Sequence, residues 1–206
     1  MNTKQSVRGL GLVEIMIAVV VLGVIAAVAA PSFTDMVNRR RVKAVAADIS
    51  TDLAYLRSEA MTRPFQITLW MNQSPQGHGM SCYTIGYQNA GGDCRSCWQD
   101  SPCTEGGEAK ETKTSRLPLS NSVSYVARSQ GGPAVYEGVL SLSSPRAKPN
   151  PVNFAVDVCG NPNASPRAVL RVELNELGRP QTCSPNQSMS GYGACLTTDA
   201  PSCPSS

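Results

Sequence analysis

The stretch RGLGLVE at residues 8–14 opens an apolar run that continues to Ala30. The segment from Leu10 to Ala30 has the length of about 20 apolar residues that a membrane-spanning helix requires. Its single charge is Glu14. A carboxylate at membrane depth costs on the order of 2.5–3.5 kcal/mol, so we expect Glu14 to have a partner and a role. The pattern predicts that residues 10–30 form the transmembrane half of a helix.

The leader, residues 1–9, is short and polar and carries Lys4 and Arg8. Positive charges beside a span favour the cytoplasmic side. Cleavage after Gly9 would create a new amine on Leu10, about one helical turn from Glu14. That ammonium and the carboxylate would neutralise each other, within one chain or between neighbouring chains.

Two other interpretations of the N-terminus are open. One is an ordinary secretory signal peptide that is cleaved near the small residues 27–30. The other is a plain membrane anchor that is not processed. A mature chain that begins at Leu10 would exclude both alternatives.

The arrangement of Gly9, Leu10, Glu14 and Pro31 resembles the class III signal of type IV pilins and type II secretion pseudopilins. In that family a basic leader ends in Gly, and Glu and Pro follow at the fifth and twenty-second mature positions. Leu10 stands where Phe is usual, and Gly11 stands where Thr or Ser is usual. The resemblance implies that a prepilin peptidase cuts after Gly9 and N-methylates Leu10, and that Glu14 and Pro31 serve assembly.

Residues 31–64 are predicted to form the second, amphipathic half of the same helix. We expect Pro31 to kink the helix rather than end it, because apolar periodicity resumes beyond it. Arg63-Pro64 is the predicted end, since the residue before proline avoids helical geometry. The predicted core-facing stripe, spaced alternately by four and three residues, is Val42, Ala46, Ile49, Leu53, Leu56 and Ala60.

The end of this helix is similar to the "L-x-x-A-R-S-E-A" region of the GspH/FimT family of minor pilins and minor pseudopilins. The matching residues are Leu53, Arg57, Ser58, Glu59 and Ala60, with Leu56 replacing the usual small residue. The resemblance implies an α+β fold: a long N-terminal pilin helix packed by its second half on a C-terminal antiparallel β-sheet domain with disulfides.

Residues 65–206 are predicted to be this globular β domain, with Cys-rich loops. Turn signals rich in Gly, Pro and Asn separate short apolar runs, which favours an antiparallel sheet. The charged segment 105–116 is expected to be solvated. The predicted strands are 66–71, 80–87, 122–127, 135–142, 152–158 and 168–174.

Eight cysteines behind a membrane segment are typical of disulfides in an oxidising compartment. Cys-x2-Cys alone would suggest zinc, but a second ligand pair is missing and His78 is the only histidine. We therefore predict no metal and no cofactor, and the sequence leaves the pairing open. The disulfide candidates are Cys82, Cys94, Cys97, Cys103, Cys159, Cys183, Cys195 and Cys203.

The predicted last strand leads into Gly178-Arg179, similar to a C-terminal element that binds DNA in some FimT-like pilins. Gln181 stands where those members have lysine. A basic face that contacts phosphates is one interpretation. An ordinary solubilising surface is the other. The residues that would form the basic face are Arg179, Arg171, Arg167, Arg146 and Lys148.

The sequence contains no phosphate-binding glycine loop, nucleophile elbow or metal-binding histidine pair, so we predict no enzyme activity. The resemblance implies a minor, FimT-like type IV pilin in pilus assembly or initiation, at the tip and with DNA uptake. The alternative is a GspH-like minor pseudopilin of a type II secretion system.

The expected partners are prepilin peptidase, other major and minor pilins or pseudopilins, inner-membrane lipid and, for a tip pilin, DNA. The expected location is the bacterial inner membrane, crossed once, with the globular domain in the periplasm. The chain would then move into a pilus or pseudopilus.

Overall fold

The computed structural model describes residues 11–73, 80–87, 97, 103, 110–117, 123–128, 138–196 and 199–204. Within these ranges the chain forms one long helix followed by strands. Contacts divide it into two units, Met1–Val37 and Asn38–Ser206, which are treated separately below. The elements are α1 Leu12–Thr62, β1 Ile67–Gln73, β2 Met80–Tyr87, β3 Lys110–Arg116, β4 Ser124–Arg128, β5 Gly138–Ser143, β6 Lys148–Asn150, β7 Ala155–Cys159, β8 Val169–Leu174 and β9 Pro180–Cys183.

The first unit contains the N-terminal part of α1, and the apolar side chains of its residues 12–27 are exposed. Leu12 and Ile25, for example, are 76% and 59% exposed. Among the described residues no single helix is long and apolar enough to cross a membrane. Two consecutive stretches, Leu12–Ala27 and Ser32–Thr62, have the length and composition of a span only when they are taken together. Pro31 lies inside α1, as predicted, rather than at its end.

The second unit begins where α1 changes from exposed on all sides to buried on one side. All six residues of the predicted stripe, from Val42 to Ala60, are buried in the hydrophobic core. The helix ends at Thr62, because Pro64 restrains the residue before it and has no amide hydrogen to donate. The core-facing stripe is therefore confirmed.

An antiparallel sheet packs against this stripe. Its strand order is β6-β5-β1-β2-β4-β7-β8-β9, and β3 also pairs with β2. On β8, Leu170 and Val172 belong to the core cluster under the helix. Arg171 and Glu173 alternate with them, so they lie on the outer face. That outer face is also buried, since every residue of β8 is buried.

The strand predictions were correct in type for the six main strands, with shifts at their ends. The segment 105–116 was predicted only to be charged and solvated, and its described side chains, 111–116, are exposed or half-buried. The strand Lys110–Arg116, which pairs with β2, was not predicted. Charged side chains are common on strands that lie at a sheet edge. Residues 135–137 lie outside the described ranges.

Two short strands were not predicted. The first, β6, has three residues and contains Pro149, and the sequence had indicated a turn there. It pairs only with β5, and an edge strand tolerates proline. The second, β9, begins at Pro180 and pairs with β8. Neither is long enough to show an alternating pattern.

Disulfides connect the sheet to its loops. The described bridges are Cys82–Cys97, Cys159–Cys203 and Cys183–Cys195. Cys103 is also disulfide-bonded, whereas Cys94 lies outside the described residues. Two of the bridges, through Cys195 and Cys203, hold the C-terminal region.

One buried hydroxyl in the described core gives a stability prediction. The Tyr125 hydroxyl has no hydrogen-bond partner among the described groups, and burial raises the pKa of this phenol. An unsatisfied buried hydroxyl is costly, so Tyr125→Phe should leave stability unchanged or raise it by about 1 kcal/mol. Denaturant unfolding with an unchanged m-value would measure the effect.

Tyr83→Phe is the matched control. The Tyr83 hydroxyl donates a hydrogen bond to Asp52 Oδ2 over 2.7 Å, so its removal should lower stability by about 1–3 kcal/mol. Equal destabilisation by the two substitutions would contradict the interpretation of Tyr125.

Candidate functional site

The first candidate site is the start of α1. Glu14 is the acidic residue of the first helical turn, where a negative charge interacts favourably with the helix dipole. Its amide donates to the Gly11 carbonyl over 3.0 Å. In the isolated chain the carboxylate is exposed among apolar neighbours such as Val13 and Ile17. Gly9 and Leu10, the predicted processing residues, lie outside the described residues.

The motif at the other end of α1 attaches the helix to the sheet domain. Arg57 Nε donates to the Leu177 carbonyl over 3.0 Å. Glu59 accepts hydrogen bonds from Tyr87 and, over 2.8 Å, from Arg63. The sequence predicted partners in the domain for Arg57 and Glu59, but gave no indication which ones.

These hydrogen bonds shift the pKa values of Glu59 and Tyr87. The hydrogen bond from Tyr87 is the main reason that the pKa of Glu59 lies below its usual value, and Arg63 adds to the effect. Burial, then the hydrogen bond to Glu59, raises the pKa of Tyr87 to about 12. Both shifts favour the pair in which Glu59 is ionised and Tyr87 is protonated.

The second candidate site contains Gly178, in the turn between β8 and β9. Its φ angle is +69°, which strongly favours glycine. A Cβ here would also lie 2.8 Å from the Ala147 carbonyl oxygen. The Asn175 side chain accepts hydrogen bonds from the amides of Leu177 and Arg179. Gly178 is therefore required by the turn and by its close approach to the β5–β6 turn.

This close approach brings basic residues from two turns together. Arg146 and Lys148 flank Ala147, and Arg179 follows Gly178. All three basic side chains are exposed. We call Arg146, Lys148 and Arg179 the basic turn surface. All three belong to the predicted basic face.

Arg171 and Arg167 do not join this surface. Arg171 is 1% exposed and donates to both carboxylate oxygens of Asp157, so its assignment to a phosphate-binding face was wrong. Arg167 precedes the opposite end of β8. It donates to the carbonyls of Gly160 and Pro204 over 2.9 Å each, and burial lowers its pKa.

A buried charge cluster on the outer sheet face was missed by the sequence analysis. Asp157 is fully buried. It pairs with Arg171 Nε at 2.5 Å and with Arg128 Nη1 at 3.3 Å. Arg171 also lies 4.0 Å from Glu173. The detectable signal was the opposite charge on neighbouring strands, since Asp157 and Arg171 are directly opposed in the ladder.

One group in the described chain has the residue types of a metal site. Potential ligand atoms of Glu173, Cys183 and Cys195 lie within 4.8 Å of one another. Both sulfurs belong to one disulfide, whereas metal ligation requires thiolates. The cluster as it stands is therefore a cross-link beside a carboxylate.

The class of the N-terminal region follows from the Gly9-Leu10-Glu14 spacing and the long apolar helix behind it. Residues 4–30 match the model described as the prokaryotic N-terminal methylation motif. The chain therefore begins with the methylation motif of prokaryotic prepilins. The α+β fold class, with a long N-terminal helix, an antiparallel sheet domain and disulfides, is as predicted.

Two kinds of solved structure are similar to this chain. The type IV minor pilin FimU of Pseudomonas aeruginosa strain PAO1 is 14% identical, with a TM-score of 0.47, over 69% of this chain and 88% of FimU. The minor pseudopilin EpsH of the Vibrio cholerae type II secretion system is 15% identical, with a TM-score of 0.47, over 73% of this chain and 99% of EpsH. No curated protein matches this chain.

Proposed function

We propose that this protein is a structural subunit of a pilin-type filament, a minor pilin or minor pseudopilin, and has no catalytic activity. The observation that carries the proposal is the methylation motif at residues 4–30, within which the described apolar side chains of residues 12–27 are exposed in the single chain. Large contiguous apolar surfaces mark sites of membrane or protein contact. A helix that contacts lipid before assembly and neighbouring helices afterwards keeps its apolar surface covered in both states.

In this mechanism prepilin peptidase cuts after Gly9 and methylates Leu10. The helix holds the precursor in the bacterial inner membrane with its sheet domain in the periplasm. During assembly the apolar half packs against the same half of other subunits, so apolar burial is retained. The amine of Leu10 on a neighbouring subunit pairs with Glu14, which offsets the cost of burying this carboxylate and sets the register.

Reading the first residues of the natural protein tests this proposal. We expect a mature chain that begins at N-methylated Leu10, measured by N-terminal peptide mass spectrometry from the membrane fraction. A mature start beyond Ala30 would mean that the helix is discarded, and filament assembly through it would be ruled out. An intact Met1 would indicate an unprocessed anchor.

Co-purification distinguishes a subunit of a pilus from a subunit of a type II secretion system. We propose a FimT-like minor pilin in pilus assembly or initiation as the first candidate, and a GspH-like pseudopilin in type II secretion as the second. Cross-linking through the sheet domain in cells, followed by identification of partners, distinguishes them. Pilus components would support the first candidate, and secretion components would support the second.

A second candidate function is DNA binding by a subunit at the filament tip. It is favoured by the basic turn surface, since Arg146, Lys148 and Arg179 are exposed on adjoining turns. Exposed cations contribute to affinity for DNA by releasing counterions from phosphates. Arg171 has no part in this proposal because Asp157 holds it in the interior.

Substitution of Arg179 tests this function. We expect Arg179→Ala in the full chain, held in detergent, to bind duplex DNA more weakly and to lower the slope of log K against log salt concentration by about 1. Arg41→Ala is the matched control, because Arg41 is exposed on α1, about 24 Å along the helix from Arg57. Equal binding by wild type and Arg179→Ala, or none by either, would exclude the DNA proposal.

A further inference from the structure

The C-terminal residues 199–204, which we call the strap, lie across the buried charge cluster. The Ser202 amide donates to Asp157 Oδ2 over 2.9 Å. Arg128 donates to the Ala200 carbonyl and lies 3.5 Å from the Asp199 carboxylate. Main-chain groups and one carboxylate of the strap therefore bond to Arg128 on β4 and to Asp157 on β7.

The strap contacts a cluster that is itself buried. Arg171 is 1% exposed and Asp157 is 0% exposed, although both lie on the outer face of the sheet. Arg167, at the other end of the strap, donates to Pro204. Arg128 and Arg167 thus donate to the strap directly, whereas Arg171 is connected to it through Asp157.

The strap itself contains no helix or strand, and its residues are partly or fully exposed. Ordering such a segment costs conformational entropy for every residue, while its few hydrogen bonds each return little net free energy. The disulfide between Cys203 and buried Cys159 on β7 closes a separation of 44 residues. A cross-link over that distance removes much of the ordering cost.

We propose that the strap is a redox-dependent cover, closed over the Asp157 cluster when Cys159 and Cys203 are joined and open when they are reduced. Opening requires a dithiol reductant. One thiolate of the reductant attacks a sulfur of the bridge and releases the other cysteine, which takes up a proton. The second thiolate of the reductant then attacks the reductant's own sulfur in the mixed disulfide and releases the remaining cysteine, which is also protonated. The protein is left with two thiols, and the reductant becomes a cyclic disulfide. The strand network and helix core remain folded, and the three arginines become accessible.

The bridge to Cys203 gives this device a consequence for folding. Because the cover closes only when Cys159 and Cys203 are joined, the charge cluster is completed only in an oxidising compartment. In reducing surroundings the outer sheet face stays open. The cover itself does not rest on the filament proposal, and its failure would leave that proposal untouched.

Hydrogen exchange on the full chain in detergent tests the inference. In Cys159→Ser/Cys203→Ser we expect the Ser202 amide to exchange faster by on the order of 100-fold. The Leu196 amide, which donates to Glu173, and the amides of β1 should keep their protection. Phenylglyoxal labelling should increase at Arg128 and Arg171, with exposed Arg179 as the internal reference.

The variant Cys82→Ser/Cys97→Ser is the matched control, because it removes a bridge remote from the strap in sequence, and Ser202 should stay protected in it. Treatment of the wild type with a dithiol should reproduce the opening, and reoxidation should reverse it. Unchanged protection of Ser202 without its bridge would overturn the proposal. Loss of protection throughout β1 and β2 would overturn it as well, because the strap would then not open as a separate unit.

Discussion

Replacing Arg171 by alanine is expected to destabilise the sheet domain by about 3–5 kcal/mol, because the change leaves the buried Asp157 carboxylate without its main partner. Arg171 lies 2.5 Å from Asp157 Oδ1 and is itself 1% exposed. Arg128 remains at 3.3 Å and compensates only in part. Denaturant unfolding of the detergent-solubilised chain measures the loss.

Two variants separate the charge effect from simple truncation. Arg179→Ala removes an arginine from an exposed turn and should change stability by less than about 0.5 kcal/mol. Replacing both members of the pair, as in Arg171→Met with Asp157→Leu, should cost less than Arg171→Ala alone, because the buried Asp157 carboxylate is removed together with its main partner. Glu173 and Arg128 each lose one partner in this variant. A loss below about 1 kcal/mol for Arg171→Ala would show that the ion pair contributes little.

Replacing Glu14 by alanine is expected to leave processing intact and to reduce incorporation into filaments at least about tenfold. The reason is that a missing carboxylate removes the partner of the Leu10 amine, and with it the interaction that fixes the register between subunits. A difference of about 1.4 kcal/mol in subunit pairing is sufficient for a tenfold effect. Immunoblots of sheared filaments and of membranes would give the two quantities.

Glu14→Asp is the matched variant because it keeps the charge on a shorter side chain, and we expect it to retain more incorporation than Glu14→Ala. Glu14→Gln keeps the size without the charge and should resemble alanine. Normal incorporation of Glu14→Ala would disprove the register role, whereas failure of cleavage in this variant would assign Glu14 to peptidase recognition.

The helix and the methylation motif could be predicted from the sequence because their causes are local. An uninterrupted apolar run, one acidic residue and a proline at fixed spacing specify the N-terminal region, and a stripe alternating by four and three residues specifies the buried side of α1. The main strands were predicted for the same reason. Their ends and the two short strands were not, because pairing with a neighbour decides where a strand stops.

The basic turn surface could not be predicted, because it depends on contacts between residues that are distant in sequence. Gly178 and Ala147 are far apart in sequence, yet their close approach places Arg179 beside Lys148 and Arg146. The partner of Arg57 is a carbonyl in the same turn. Neither contact leaves a periodic trace in the chain.

The sequence by itself determined a long helix with an apolar first half and an antiparallel sheet with an alternating face, because hydrophobic periodicity and local sterics act over a few residues. Alternation also places Arg171 on the outer side of β8, where a lone sheet would expose it to water. Only the tertiary structure decided that this side is closed, since Asp157 on the neighbouring strand pairs with the Arg171 guanidinium and itself accepts a hydrogen bond from the strap at Ser202. Burial of a charge is set by what folds over it, and that segment lies about 30 residues further along the chain.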